Sequence, residues 1–309
     1  MQRVVARRFG PPQEVLQCEV ASPPALAPQD VIVRMRASPI NPSDLITVGG
    51  AYRHRVPLPF VPGFDGVGVV EEMGPAAAGV RLGQRVLPLG AAGGWQTLKA
   101  LPAEWCVPVP DDLTDEQAAT AYVNPLTARL MLQRLAPEPD QLVGVNAANS
   151  AIGRMLLRLL HRAGARAVAV VRSARARALL QDEPAAEIVL QGQALPPLAG
   201  GFDAVGGADG DAMARAVAAG GTLLHYGLLS GVPLPADQGR VQLFPLRAWV
   251  HAVSRPELHA AMAQVFQDIR TGMLGTAVEA RYAFGDVQAA LARHASPDRR
   301  GKVLFSAPE

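Results

Sequence analysis

The clearest hydrophobic pattern in the chain lies between positions 142 and 172, where two apolar runs flank an amphipathic segment. The first run, 142–147, is short and continuous, which is typical of a buried parallel strand. Apolar and basic residues then share the helical spacing, with Ile152, Met155, Leu156, Leu159 and Leu160 on one face and Arg154, Arg158 and Arg162 on the other. Gly164 ends this helix, and a second apolar run follows at 167–171. The pattern predicts a βαβ unit of about thirty residues.

A polar turn at 148–151 joins the first strand to the helix and leads to Gly153. The first N–H groups of a helix have no internal partner and lie at its positive dipole end, so such a turn can bind a pyrophosphate. The full glycine fingerprint of dinucleotide-binding folds is absent, since only Gly144 and Gly153 remain. On glycine count alone, an ordinary βαβ crossover stays an alternative.

The end of the second strand carries basic residues. In NAD-binding folds an acidic residue about twenty positions after the turn binds the ribose 2′-hydroxyl. Here Arg172 stands 19 residues after Gly153 and is followed by Ser173, Arg175 and Arg177. Guanidinium groups at this place suit a 2′-phosphate, which favours NADPH over NADH. The alternative is a solvated, basic helix start.

Strand and helix patterns alternate from position 114 onward, which predicts an α/β fold with a Rossmann-type doubly wound parallel sheet. Thr114 and Gln117 predict a capping box, and Asn124-Pro125 predicts an N-cap followed by the first helical residue. The strand candidates are 142–147, 167–171, 187–190, 202–205 and 222–226. We assign 116–255 to this predicted NADP(H)-binding domain.

Residues 1–115 read as a different, β-rich domain. Short strand-like runs at 31–35, 66–71 and 85–89 are separated by Pro and Gly pairs, which predicts a compact barrel. After position 255 the pattern predicts a helix at 256–271 and a strand at 302–305. We expect residues 256–309 to return to the first domain.

Composition narrows the function classes. A net charge of +2 gives no electrostatic case for nucleic acid or an anionic membrane. We find no signal peptide and no uncharged apolar run of about 18 residues, so we expect a cytoplasmic protein without a membrane partner. Cys18 and Cys106 are the two cysteines, too few for a disulfide framework or a thiolate zinc site.

Motifs along nearly the whole chain resemble those of the medium-chain dehydrogenase/reductase family. They are Asn41-Pro42-Ser43-Asp44, the run Pro-Gly-Phe-Asp-Gly-Val-Gly at 62–68, and Tyr226-Gly227 after a glycine-led strand. The resemblance implies a GroES-like β-barrel catalytic domain beside the Rossmann domain, an active site in the cleft between them, a small-molecule substrate and a homodimer.

The chain departs from the zinc-dependent members of that family. Their Cys-x-x-Asp motif corresponds to Asn41 to Asp44, and their His-Glu pair corresponds to Phe64-Asp65. A catalytic zinc needs about three converging protein ligands. The sequence therefore predicts no metal, and we interpret Asp44 and Asp65 as structural residues of the barrel.

Two zinc-independent groups are similar to this chain. The segment 122–128 resembles the Val-Asn-Pro-x-Thr-Ala segment of 2-enoyl thioester reductases, and 146–153 resembles their Asn-Ala-Ser-Asn-Ser-x-Val-Gly turn. The resemblance implies an NADPH-dependent reductase of trans-2-enoyl thioesters of CoA or carrier protein. An NADPH:quinone oxidoreductase is the alternative. A catalytically silent binding protein is a third, against which the arginines after position 171 argue.

The resemblance also implies roles for single residues. Tyr52 falls where the enoyl reductases have their catalytic tyrosine, Asn41 and Asn124 would orient Tyr52 or the nicotinamide amide, and Trp249 would line the substrate pocket. The implied cofactor-binding residues are Asn124, Thr127, Asn149, Ser150, Ala151, Ile152, Gly153, Arg172, Ser173, Arg175, Gly206, Gly207, Tyr226, Gly227 and Lys302. The structural alternatives are a packed loop tyrosine for Tyr52, a helix cap for Asn124, a core residue for Trp249 and a surface lysine for Lys302.

Overall fold

In the computed structural model, which describes residues 1–235 and 239–306, the chain divides into two units. One unit is formed by Met1–Val123 together with Val250–Glu309, and the other by Asn124–Trp249. The strands are β1 (Gln2–Ala6), β2 (Leu16–Val20), β3 (Asp30–Pro39), β4 (Val67–Met73), β5 (Arg85–Pro88), β6 (Leu98–Pro102), β7 (Cys106–Pro108), β8 (Leu142–Asn146), β9 (Arg166–Val171), β10 (Glu187–Leu190), β11 (Leu198–Asp203), β12 (Val217–His225), β13 (Val241–Leu243), β14 (Val278–Tyr282) and β15 (Lys302–Ser306). The helices are α1 (Pro12–Val15), α2 (Pro42–Val48), α3 (Asp115–Ala119), α4 (Val123–Leu135), α5 (Ala151–Arg162), α6 (Ala174–Ala178), α7 (Gly207–Ala216), α8 (Leu246–Ala252), α9 (Arg255–Arg270) and α10 (Val287–Ala295).

The unit formed by Asn124–Trp249 contains a six-stranded parallel sheet. Its strand order is β10-β9-β8-β11-β12-β13, so the chain winds outward from β8 in both directions. The doubly wound α/β fold predicted from the alternating pattern is confirmed. Apolar side chains of α5 are buried as its periodicity predicts, and Gly164, with φ of 78°, follows the helix.

The other unit contains a largely antiparallel seven-stranded sheet. Its order is β14-β15-β3-β4-β5-β7, and β6 also pairs with β3. The late strand β15 pairs antiparallel with β3, and Trp95 packs on Phe305 with ring centroids 5.0 Å apart. Residues from both ends of the sequence therefore share one hydrophobic core.

Helix starts agree with the sequence prediction in one place and differ in another. Thr114 and Gln117 form the predicted capping box. The prediction that Asn124 is an N-cap is wrong, because α4 begins at Val123 and Asn124 lies inside its first turn. The Val123 N–H donates instead to Asp65 Oδ1 at 2.8 Å, so a distant carboxylate satisfies the exposed end of the helix.

Within the described ranges, every helix falls short of the length or apolar character that a membrane span requires.

Candidate functional site

The carboxyl ends of four neighbouring strands, β9, β8, β11 and β12, lie along one edge of the parallel sheet. A predicted cofactor segment follows each of them: 172–175 after β9, 149–153 after β8, Gly206-Gly207 after β11, and Tyr226-Gly227 after β12. Ligands of open α/β sheets bind outside the carboxyl ends of the strands. The fold therefore brings these four segments to the edge where a dinucleotide would bind.

The turn after β8 prepares the start of α5 for an anion. Ser150 is the N-cap, and its hydroxyl accepts a hydrogen bond from the Gly153 N–H at 3.1 Å. The N–H groups of Ala151 and Ile152 belong to the same first turn, where a helix offers them no internal acceptor. They can donate to a phosphate, aided by the helix dipole.

Gly153 allows α5 to approach this turn closely. A Cβ atom at position 153 would lie 2.6 Å from the Ala148 carbonyl oxygen and 2.7 Å from that of Ala147. We therefore expect Gly153→Ala to lower the free energy of unfolding by about 1–3 kcal/mol and to weaken NADPH binding, as measured by urea unfolding and titration calorimetry. The matched control is Gly285→Ala, because a Cβ there would meet no atom within 4 Å. Equal unfolding midpoints for the two variants would contradict this packing argument.

The segment after β9 is basic and exposed. Arg172 is solvent-exposed and makes no hydrogen bond or ion pair with any residue that the structure describes. Ser173 caps α6 by accepting from the Ala176 N–H at 3.2 Å, and Arg175 is exposed within that short helix. The Arg172 guanidinium, which no carboxylate of the described residues neutralises, remains available for an anionic ligand.

A buried polar cluster that sequence reasoning missed joins β8, β11 and β12. Asn146 donates to Asp203 Oδ1, and His225 Nδ1 lies 2.6 Å from Asp203 Oδ2. Burial alone would raise the pKa of Asp203, but hydrogen bonds from His225, Asn146 and the N–H groups of Gly206 and Val205 hold that pKa below its ordinary value. The available signal was a polar residue at the carboxyl end of three neighbouring apolar runs.

Gly206 has a structural reason for being glycine. Its φ is 71°, and a Cβ there would lie 2.3 Å from the Val232 carbonyl oxygen. The Gly207 N–H donates to that same oxygen at 2.8 Å, so the segment after β11 packs closely on Val232. Backbone approach to a ligand, the role implied for these glycines, stays a prediction.

Tyr226 carries a hydroxyl that is buried and has no hydrogen-bond partner within the described part of the chain. Burial raises the pKa of this phenol well above its ordinary value, so it stays neutral. Buried polar groups are nearly always hydrogen-bonded, and an exception calls for a ligand or water. The orphaned hydroxyl thus fits a position at the edge of a ligand site.

In the other unit, four buried polar residues form what we call the Asn41 cluster: Asn41, Asp44, Asp65 and Lys302. Asn41 Nδ2 donates to Asp65 Oδ2 at 2.7 Å, and Lys302 Nζ donates to Asn41 Oδ1. Asp44 accepts from the N–H groups of Asn41 at 2.9 Å and Phe64 at 3.0 Å. The surface alternative for Lys302 is wrong, since this side chain is buried.

Burial shifts every ionisable group of this cluster toward its neutral form. It raises the pKa of Asp44 to about 7, against backbone hydrogen bonds from Asn41 and Phe64. It raises the pKa of Asp65 to about 6, against the Val123 N–H and the charge of Lys302. It lowers the pKa of Lys302 to about 8, although Asp65 opposes the shift.

Tyr52 lies in the turn after α2, in the same unit. Its side chain is half-buried, and the Arg55 guanidinium sits 4.2 Å from the ring centroid. This cation–π contact restrains the ring while leaving the hydroxyl without a protein partner among the described residues. Asn41 bonds Asp65 and Lys302, and the described residues contain no hydrogen bond from Asn41 to Tyr52.

The remaining candidates lie on helices. Thr127 is buried on α4, Asn124 is half-buried in its first turn, and Trp249 is half-buried on α8. Their implied roles toward substrate and cofactor stay predictions.

Comparison with known proteins identifies relatives over nearly the full chain. Residues 27–111 match the alcohol dehydrogenase GroES-like domain, and residues 198–304 match the zinc-binding dehydrogenase family. A mitochondrial enoyl-[acyl-carrier-protein] reductase of Xenopus tropicalis is 33% identical over 75% of this chain and 71% of its own. A Bacillus thuringiensis protein provisionally described as an NADPH:quinone reductase is 32% identical, with a TM-score of 0.92 over 99% of both chains. The Escherichia coli quinone oxidoreductase, solved with NADPH, is 22% identical with a TM-score of 0.89 over 99% of this chain and 100% of its own.

The name of the second family raises the question of a zinc site. Within residues 1–235 and 239–306, no three or more His, Cys, Asp or Glu side chains are grouped to hold a metal ion. Asn41 stands where the zinc enzymes have cysteine, and it binds an ammonium group. These residues do not fit a tetrahedral zinc site.

The two matched domains, the strand order and relatives above 30% identity agree with each other. The chain belongs to the medium-chain dehydrogenase/reductase superfamily of oxidoreductases.

Proposed function

We propose that this chain is an NADPH-dependent reductase of activated C=C bonds, with trans-2-enoyl thioesters of CoA or carrier protein as its substrates. The observation that carries the cofactor half is Arg172, which is exposed and has no ion-pair partner among the described residues. It follows β9, the strand paired with β8, which leads into the capped turn 149–153. The substrate half is supported by the Xenopus tropicalis relative, whose name states enoyl-[acyl-carrier-protein] reduction.

The residues present fit NADPH. The N–H groups at the start of α5 would receive the pyrophosphate, and Arg172 with Arg175 would contact the 2′-phosphate. The segments around Gly206 and Tyr226 would lie at the nicotinamide end. Bound NADPH supplies a hydride to the β-carbon of the enoyl group.

Hydride addition moves the C=C electron pair toward the thioester carbonyl, and the α-carbon then takes a proton. Tyr52 would donate a hydrogen bond to the oxygen where negative charge develops, or deliver that proton. Arg55, stacked on the phenol ring, would keep the hydroxyl in one direction. A donor fixed in advance avoids reorganisation during the reaction.

Isotope transfer tests this proposal. Crotonyl-CoA is incubated with the protein and NADPH deuterated at C4, using each stereoisomer in turn. We expect one of the two isomers to place deuterium at C3 of the butyryl chain, as read by mass spectrometry and NMR. Acyl product without deuterium from either isomer, or no acyl product, would overturn the enoyl assignment.

NADPH:quinone reduction is the second candidate. It is favoured by the Bacillus thuringiensis protein, whose chain matches this one end to end. With a quinone acceptor, the transferred deuterium would be lost to solvent from oxygen, so no carbon-bound label would appear.

The predicted homodimer and cytoplasmic location stay predictions. The resemblance supports the first, and light scattering of the purified protein would test it. The Xenopus tropicalis relative is a mitochondrial protein by name, so imaging of the tagged chain in its own cell is the test of the second.

A further inference from the structure

The Asn41 cluster contains two carboxyl groups and an ammonium group where water hardly reaches. Asp44, Asp65 and Lys302 are exposed by 0%, 3% and 5%. A buried carboxylate is costly unless a cation or several donors compensate it. Asp44 has backbone N–H donors, whereas Asp65 shares its compensation between single hydrogen bonds and the charge of Lys302.

Other basic groups near Lys302 do not take over its role. Arg299 donates to the carbonyl oxygens of His294 and Gly301. Burial lowers the pKa of His294 to about 3, so that ring is neutral. Among the residues that the structure describes, the Lys302 ammonium is the cation that contacts the cluster.

Asp65 and Lys302 together select one orientation of the Asn41 amide. Its NH₂ group faces the Asp65 carboxylate, and its oxygen faces the Lys302 ammonium. A flipped amide would set two donors against each other on one side and two acceptors on the other. Removing Lys302 removes one of the two groups that forbid the flip.

We propose that the Lys302 ammonium is a built-in replacement for a bound metal cation: it compensates the Asp65 carboxylate, holds the Asn41 amide in one orientation, and leaves no place for zinc. Lys302 is on this account a positioning residue that acts through Asn41. The kinetic part of the test rests on the proposed function, whereas the metal and unfolding parts do not.

The test compares Lys302→Met, which removes the charge, with Lys302→Arg, which keeps it. Lys99 is the matched control, since it is also buried and, within the described part of the chain, its Nζ donates to the carbonyl oxygens of Pro88 and Ala91 and to no carboxylate. In Lys302→Met the Asp65 carboxylate keeps its hydrogen bonds from Asn41 and Val123 but loses its cationic partner. That loss is costly at pH 7.5, above the wild-type Asp65 pKa of about 6, and small at pH 5, where the carboxyl group is mostly protonated. We therefore expect its urea midpoint, relative to wild type, to fall much more at pH 7.5 than at pH 5.

In Lys99→Met the urea midpoint should fall by the same amount, relative to wild type, at pH 7.5 and at pH 5. The double variant Lys302→Met/Asp65→Asn lacks the carboxylate, so its urea midpoint should fall equally at both pH values. This variant still tests the proposal if Lys302→Met alone folds poorly. The proposal would be overturned if the urea midpoints of Lys302→Met and Lys99→Met showed the same pH dependence.

Two further measurements decide the remaining points. After incubation with excess zinc and gel filtration, the wild-type protein should retain far less than one zinc per chain, and one zinc per chain would refute the proposal.

On crotonyl-CoA, Lys302→Met should lower kcat at least about tenfold with an unchanged NADPH dissociation constant, and Lys302→Arg should recover most of the lost kcat. A raised NADPH dissociation constant with unchanged kcat would instead support direct cofactor binding by Lys302. If the wild type reduces no enoyl thioester, the proposed function fails, while the zinc and unfolding results still decide this inference.

Discussion

Replacing Arg172 by alanine is expected to raise the NADPH dissociation constant by about 10- to 100-fold. This is the factor expected when one hydrogen bond to a charged group is lost. The NADH dissociation constant should change little, because NADH lacks the 2′-phosphate. The physical reason is that Arg172 follows β9 at the edge of the sheet and is exposed, without an ion-pair partner among the described residues. Fluorescence titration with both cofactors measures the two constants.

Arg166→Ala is the matched control for this variant. Arg166 is also an exposed arginine, but it begins β9, whereas Arg172 follows the other end of that strand. Its loss should leave both dissociation constants near the wild-type values. Equal weakening of NADPH and NADH binding by Arg172→Ala would contradict a 2′-phosphate contact.

Tyr52→Phe is expected to lower kcat on crotonyl-CoA by about 10²- to 10⁴-fold, the range for a positioned proton donor. The NADPH dissociation constant should stay near wild type, since the role assigned to Tyr52 is toward the substrate. The change removes only the hydroxyl and keeps the ring on which Arg55 stacks. Stopped-flow measurement of a single turnover isolates the chemical step.

Tyr282→Phe serves as the control, because Tyr282 lies on β14 and packs against a hydrophobic core cluster. It should change turnover little. Unchanged single-turnover rates in Tyr52→Phe would remove Tyr52 from the mechanism and leave the packed-loop interpretation.

The parallel sheet could be predicted because its strands are buried on both faces and therefore read as continuous apolar runs. The segment 142–172 specifies β8, α5 and β9 through local spacing alone. Strands such as β13, with three residues, carry too little pattern to predict. The prediction of Asn124 as a cap fails because the group that satisfies the start of α4 is Asp65, which is distant in sequence.

The candidate site divides in the same way. Residues that come shortly after a strand, such as Arg172 after β9 and Gly206 after β11, could be placed from the sequence because the carboxyl ends of parallel strands share one edge of the sheet. The Asn41 cluster could not, because it depends on the pairing of β15 with β3, which brings Lys302 to Asn41 across 261 positions. The sequence therefore indicates structural roles for Asp44 and Asp65 without showing what they contact, and it leaves both a cofactor-binding and a surface position open for Lys302.

The central claim is that this chain reduces enoyl thioesters with NADPH, and paired steady-state assays at 340 nm test it most directly. The value of kcat/KM is measured for crotonyl-CoA and for 1,4-naphthoquinone, each with NADPH and with NADH. We expect a much higher kcat/KM for crotonyl-CoA than for the quinone, and a much higher kcat/KM with NADPH than with NADH. Rapid NADPH oxidation by the quinone with none by crotonyl-CoA would contradict it.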